Sequence, residues 1–195
     1  MINEIILRNL ELKTFTEQDV QDYCLLNNIN PDNIAVLDLN YNEPTDISGI
    51  KLFKNLQYLL ILNNQIQDIF ILKDLKFLEI LIIGYNKIKN ISFVKYLKNL
   101  KILNIENLEL KSDQIEYIKS INNLKELWLG YNRLINISVL KDLKNLKFLD
   151  IRNLRLKSDQ IQYINSLNNL KELIYYKGFK DISVLDKLNK KINLL

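Results

Sequence analysis

The sequence predicts an α/β repeat fold, in which short coils of chain stack into a solenoid with a parallel β-sheet along one side. Three observations predict it. Residues Leu78 to Asn169 hold one block twice, without insertion or deletion, at a period of 46 residues that sets Leu78 against Leu124. Within each copy a shorter unit, L-x-x-L-x-[IL], shows through. Its leading residues fall at Ile34, Leu56, Leu78, Leu100, Leu124, Leu146 and Leu170, at spacings of 22 or 24 residues. Counting from each leading residue, positions 4 and 6 are apolar throughout (Leu37 and Leu39, Leu59 and Ile61, Leu81 and Ile83, on to Leu173 and Tyr175). A period of two sends both side chains to one face of a strand. One such unit cannot bury that face alone, so neighbouring units must stack on it.

The elements follow in order. Leu7-Arg8-Asn9-Leu10-Glu11-Leu12-Lys13 matches Ile151-Arg152-Asn153-Leu154-Arg155-Leu156-Lys157, so a first, atypical repeat begins near Ile2 and runs to about residue 33. Thr16 followed by Glu17, Gln18 and Asp19 reads as a capping box. Val20, Tyr23, Cys24 and Asn27 mark one face of the helix it opens, and Asn30-Pro31 is expected to end it. Residues 34–169 hold the regular repeats, of two kinds. The 22-residue kind carries Asn at position 9 (Asn42, Asn64, Asn86, Asn132) and continues as in Leu134, Ile137, Leu140 and Leu143. In the 24-residue kind Leu108 and Leu154 replace that Asn. There Ser112-Asp113 and Ser158-Asp159 read as helix caps, followed by the i, i+3 faces Ile115, Ile118 and Ile161, Ile164. Residues 170–195 read as a C-terminal capping repeat, with Gly178 in place of the turn Asn. The whole is expected to form one domain, because Gly (4) and Pro (2) are too scarce for a flexible linker.

Composition narrows the function. With no histidine and one cysteine, Cys24, the chain has no His-based triad or metal site, no Cys-based metal cluster and no internal disulfide. A net charge of +4 on a chain that is 26% charged is weak for a duplex binder. The Lys98–Lys101 and Lys144–Lys147 runs read as solvated edges. Glu4 and Arg8 interrupt the apolar start, so no signal peptide is expected, and no apolar run approaches the length of a membrane span. No Gly-rich phosphate loop is present, and the Ser-Asp pairs have no base beside them to activate a serine. Gly84 and Gly130 read as strand positions where small size flattens the sheet.

The L-x-x-L-x-L-x-x-N pattern resembles the leucine-rich-repeat family over nearly the whole chain. The 22-residue units are similar to the short repeats of bacterial internalin-like proteins and of a phosphatase regulatory subunit. Asn136-Ile137-Ser138 and Asp181-Ile182-Ser183 look more like the bacterial version. The resemblance implies a right-handed solenoid with its sheet on the concave face and short helices or 3-10 turns on the convex face. It implies a buried Asn ladder that satisfies backbone groups of adjacent coils, and non-enzymatic binding of a protein. Positions 3, 5, 7 and 8 then point out of the concave face.

On that face Tyr58, Leu60, Leu62, Ile80, Ile82 and Tyr85 form an apolar patch, with Trp128 and Tyr131 beside it. Ile80 and Ile102 are equally well explained as ordinary strand residues. Trp128, between core positions Leu127 and Leu129, turns outward by strand alternation and is expected to be exposed. Glu106, Asp150 and Arg152 form a charged cluster that either selects a partner or pairs internally. The expected partner is a protein of unknown identity, with self-association through the patch open; neither a cofactor nor a metal is called for, nor nucleic acid, nor membrane insertion. A cytoplasmic interaction module is the leading reading, and a secreted or surface internalin-like recognition protein or a phosphatase regulator the alternatives.

Overall fold

A computed structural model describes residues 3–175 and 193–194. Tyr176, Lys177, Gly178 and the Asp181-Ile182-Ser183 step lie outside the described residues. Each repeat contributes one short strand: β1 (Glu4–Ile6), β2 (Val36–Asp38), β3 (Tyr58–Leu60), β4 (Ile80–Ile82), β5 (Ile102–Asn104), β6 (Glu126–Trp128), β7 (Phe148–Asp150) and β8 (Glu172–Ile174). With β9 (Asn193–Leu194) they form one parallel sheet in sequence order. The register is that of the repeat: Leu37, Leu59, Leu81, Leu103, Leu127, Leu149 and Leu173 are successive partners across it. All seven are fully buried, as are Leu39, Ile61, Ile83, Ile105 and Leu129 at position 6. Tyr175 is half-buried.

Parallel strands need a crossover, and each crossover described between β1 and β8 carries a helical segment on the convex face. Five are 3-10 turns: Ser48–Leu52, Phe70–Asp74, Ser92–Tyr96, Ile115–Ser120 and Ser138–Asp142. Four begin at an Asx turn. The side-chain oxygens of Asp46, Asp68, Asn90 and Asn136 accept the N–H two residues on, at 2.7, 2.9, 2.8 and 2.8 Å. The first repeat has a longer helix, α1 (Glu17–Leu26), opened by the expected box: Thr16 Oγ1 accepts from Asp19 N (3.2 Å), and the Asp19 carboxylate accepts from Thr16 N (2.7 Å). Gly49 allows α1 this close, because a Cβ there would collide with Val20 and the Thr16 carbonyl. The helix stops at Leu26, ahead of Asn30-Pro31. Asn28 turns left-handed (φ 53°), and Pro31 opens a 3-10 turn, Pro31–Asn33, instead of ending the helix.

The serine caps are corrected by the structure. Ser112 lies ahead of its turn, and its Oγ accepts Ile135 N (3.1 Å) and Asn136 N (3.0 Å) from the next coil. Ser158 lies within a 3-10 turn, Ser158–Gln160, leading into α2 (Ile161–Asn165), and no side chain caps either element. The Ser112 hydroxyl thus staples two coils together. The isoleucines behind it, Ile115, Ile118, Ile161 and Ile164, are buried as expected.

Two asparagine ladders tie the stack. At position 9, Asn42, Asn64, Asn86 and Asn132 are buried. The Asn132 amide donates to Ile105 O and Leu129 O (both 2.8 Å), and its oxygen accepts Leu108 N (3.1 Å) and Leu110 N (3.0 Å). Asn42 does the same for the first repeat, accepting Leu10 N (2.9 Å) and Leu12 N (3.2 Å). The first repeat and the Leu108 repeat therefore borrow their turn asparagine from the coil that follows. On the opposite edge, exposed Asn55, Asn99, Asn123, Asn145 and Asn169 each donate to a carbonyl of the preceding coil, at 2.8–3.1 Å.

Candidate binding face

In three-residue strands the central residue points inward and its neighbours point out onto the concave face. Parallel register lines the outward residues into columns: Tyr58 beside Ile80 and Ile102, Leu60 beside Ile82, and Asn104, Trp128 and Asp150 in succession. Column neighbours shield each other's flanks, so Tyr58, Leu60, Leu62, Ile82 and Trp128 are half-buried, not open to solvent. For Trp128 this corrects the expectation of an exposed ring. It packs on Phe148 of the next strand, with centroids 4.6 Å apart and planes inclined by 36°, a geometry favoured by aromatic quadrupoles.

The next feature has a backbone cause. Every position-8 residue from the first repeat to the seventh described coil is left-handed: Asn9, Tyr41, Asn63, Tyr85, Asn107, Tyr131 and Asn153, with φ between 50° and 58°. From Asn9 to Tyr131 its N–H reaches the carbonyl of the following coil, as from Tyr85 to Glu106 O (2.9 Å) and Tyr131 to Arg152 O (2.8 Å). Asparagine tolerates this conformation, whereas an L-residue such as Tyr is strained there by about 1–2 kcal/mol. Asn and Tyr alternate along the ridge, and three coils carry the strained choice.

Two of these tyrosines flank a buried ion network. Asp150 is fully buried and Glu106 is 6% exposed. Arg152 grips Asp150 through Nε (3.0 and 2.9 Å) and through a terminal nitrogen (2.6 Å), and the same nitrogen reaches Glu106 Oε1 at 3.1 Å. The Tyr85 hydroxyl donates to Glu106 Oε1 (3.2 Å), and the Arg152 guanidinium lies 5.6 Å from the Tyr131 ring centre. Burial pushes the Glu106 carboxyl up from its usual range, helped by the charge of Asp150, against the opposing pull of Arg152. Burial and then the Glu106 charge raise the Tyr85 hydroxyl. Hydrogen bonding to Asp150 raises the Arg152 guanidinium further, keeping it charged. The three charged residues therefore pair with one another.

Sequence reasoning placed Asp38, Asn104 and Asp150 outward and did not foresee their burial. Each accepts the backbone N–H two residues on: Asn40 N at 3.0 Å, Glu106 N at 3.0 Å and Arg152 N at 2.9 Å. A signal for this was present one coil earlier. A Cβ at Gly84 would lie 2.5 Å from Asn104 Oδ1, and one at Gly130 would lie 3.2 Å from Asp150 Oδ1. These glycines make room for the neighbour's polar side chain and lie beyond the strands, so flattening the sheet is not their role. Along the left-handed ridge an open groove of about 570 Å³ runs past Tyr85, between Gln65, Lys87 and Glu109. Glu109 there bridges Lys89 and Arg133, each at 3.1 Å.

A parallel sheet of in-register coils, a buried turn-asparagine ladder and short convex turns define a leucine-rich-repeat solenoid. Residues 54–96 match the family model for leucine-rich repeats in two copies, and the chain's repeats are similar to those of internalins. Among solved structures, internalin C2 of Listeria monocytogenes is 29% identical, with 85% of this chain and 75% of that chain covered and a TM-score of 0.71. A leucine-rich-repeat protein of Leptospira interrogans is 22% identical over 100% of this chain and 48% of its own, with a TM-score of 0.81. A plant peptide hormone receptor solved in complex with its peptide is 22% identical over 99% of this chain and 32% of its own, with a TM-score of 0.70. The latter two share the fold. No curated protein matches the chain. Leucine-rich-repeat folds generally mediate protein–protein interaction and are typically non-enzymatic. Among the described residues no helix is long and apolar enough to cross a membrane.

Proposed function

We propose that the chain acts as one non-enzymatic domain that holds a protein partner against its concave face. The contact surface runs from Tyr58, Leu60, Leu62 and Ile82 across Tyr85 to Trp128 and Tyr131, and it lies over Glu106, Asp150 and Arg152, of which only Arg152 is appreciably exposed. The observation that carries this reading is the placement of Tyr85 and Tyr131 on left-handed backbone, where the neighbouring coils use Asn. Strain kept at equivalent positions of a repeat supports a role for those side chains outside folding. Tyr and Trp are also the side chains that dominate binding hot spots. In this reading the Asp150–Arg152–Glu106 network serves as a rigid floor that presents the tyrosines, because its charges already satisfy each other.

The leading site of action is the cytoplasm. The internalin C2 likeness favours a second reading, recognition at a cell surface or outside the cell. Fractionation of the source cell separates the two. Affinity capture from that cell tests the face itself: a partner held by the wild type and lost by Tyr85→Asn, Tyr131→Asn supports it, and one retained equally by both refutes it. Co-capture of a phosphatase would identify the regulatory-subunit alternative.

A further inference from the structure

We propose that a second surface, on the convex flank of the coils beginning at Leu56, Leu78 and Leu100, docks onto an anionic lipid surface. It starts from a break in the outer asparagine ladder. The residue before each leading Leu or Ile is Asn33, Asn55, Asn99, Asn123, Asn145 or Asn169, except in one coil, where it is Phe77. That ring is 55% exposed and gives up the bond its equivalents make. Phe70, Tyr96 and Tyr117 on the adjoining turns are also exposed, at 42%, 41% and 37%.

Lysines stand over three of these rings. Lys73 Nζ lies 5.1 Å from the Phe70 centroid, Lys76 Nζ 5.1 Å from that of Tyr96, and Lys95 Nζ 5.0 Å from Tyr96 and 5.7 Å from Tyr117. The Lys76 ammonium also donates to the Lys73 carbonyl, and that of Lys98 to the Ser120 carbonyl. The nearby acids are largely spent: Glu79 pairs with Lys101 at 2.6 Å and Glu116 with Lys119 at 3.6 Å. This leaves Lys73, Lys76, Lys95 and Lys98 against Asp74 and Asp68, the latter accepting Phe70 N, a net positive surface studded with exposed rings.

The form of the patch selects the partner. Single-stranded nucleic acid is held in a groove that tracks its backbone, on rings whose faces are open to bases. Here the rings stand on a convex flank, and ammonium groups cover the faces of Phe70, Tyr96 and Tyr117. Phe70 and Phe77 carry no polar atom to pair with a protein or a base. A bilayer yields around protruding rings, which settle at headgroup depth, while clustered lysines are drawn to its anionic headgroups.

The test is co-sedimentation of the full chain with vesicles of phosphatidylcholine alone or mixed with phosphatidylserine. The proposal expects association with the mixed vesicles only, weakened by salt, and about fivefold weaker for each of Lys76→Gln and Lys95→Gln. Phe77→Asn restores the ladder residue, so it should keep or raise the unfolding midpoint while reducing vesicle binding. Should it lower the midpoint, the lysine variants carry the test. Trp128→Ala should bind vesicles like the wild type. Equal binding to both vesicle types, wild-type binding by the lysine variants, dependence on Trp128, or preference for a single-stranded oligonucleotide would each overturn the proposal.

Discussion

Replacing Asn132 with Ala is the sharpest perturbation of the stack. The side chain joins two coils through four hydrogen bonds of 3.1 Å or less, donated to Ile105 O and Leu129 O and accepted from Leu108 N and Leu110 N. It is 4% exposed, so water has little access to the groups left behind. A buried group deprived of its partner costs about 1–3 kcal/mol. Small shifts of the coils recover part of this, so the loss should be at least about 3 kcal/mol. Asn123→Ala is the matched control: it removes a single exposed bond, to Lys98 O at 3.1 Å, and should cost about 1 kcal/mol or less. Urea unfolding followed by far-UV circular dichroism measures both, with the slope checked so that a change in midpoint can be read as stability. If the two variants lost stability equally, the ladder would not be what holds the coils together.

Leu127→Ala should cost about 2–5 kcal/mol, because its side chain is fully buried between Leu103 and Leu149. Hydrogen exchange should then rise first in the adjacent coils and not uniformly. Gly84→Ala should destabilise more than Gly130→Ala in thermal melts, because the added methyl meets Asn104 at 2.5 Å in one case and Asp150 at 3.2 Å in the other. Glu106 binds its proton more tightly folded than unfolded, so it favours the folded state at low pH and loses that contribution as pH rises through its elevated pKa. Glu106→Gln should therefore flatten the dependence of the urea midpoint on pH from about 4 upward; an unchanged profile would contradict the raised carboxyl.

What was legible in the sequence was whatever repeats locally with a fixed period. Leu59, Ile61 and Asn64 could be assigned to core and turn because alternation and coil length recur. Trp128 was correctly turned toward the sheet face. What covers it was not legible, since Phe148 becomes its neighbour only through the register of the next coil. The burial of Asp150 has the same cause: its oxygens serve Arg152 N and the Arg152 guanidinium in an arrangement that needs Gly130 one coil earlier. The Ser112 reading failed because Ser-Asp before an isoleucine face suits a helix cap, and nothing local reveals that the hydroxyl reaches Ile135 and Asn136 of the next coil. The left-handed tyrosines could have been found, since Tyr and Asn alternate at one repeat position.

The concave-face reading meets its most direct test in the affinity of a captured partner for the wild type and for Tyr85→Asn, Tyr131→Asn, measured by calorimetry beside the unfolding midpoints of both proteins. Asparagine relieves the left-handed strain, which offsets the loss of the Tyr85–Glu106 hydrogen bond and the Tyr131–Arg152 contact, so the double variant should fold about as stably as the wild type. It should bind at least tenfold more weakly, since hot-spot truncations cost about 2 kcal/mol or more. Undiminished affinity in a variant of equal or higher stability would contradict the account.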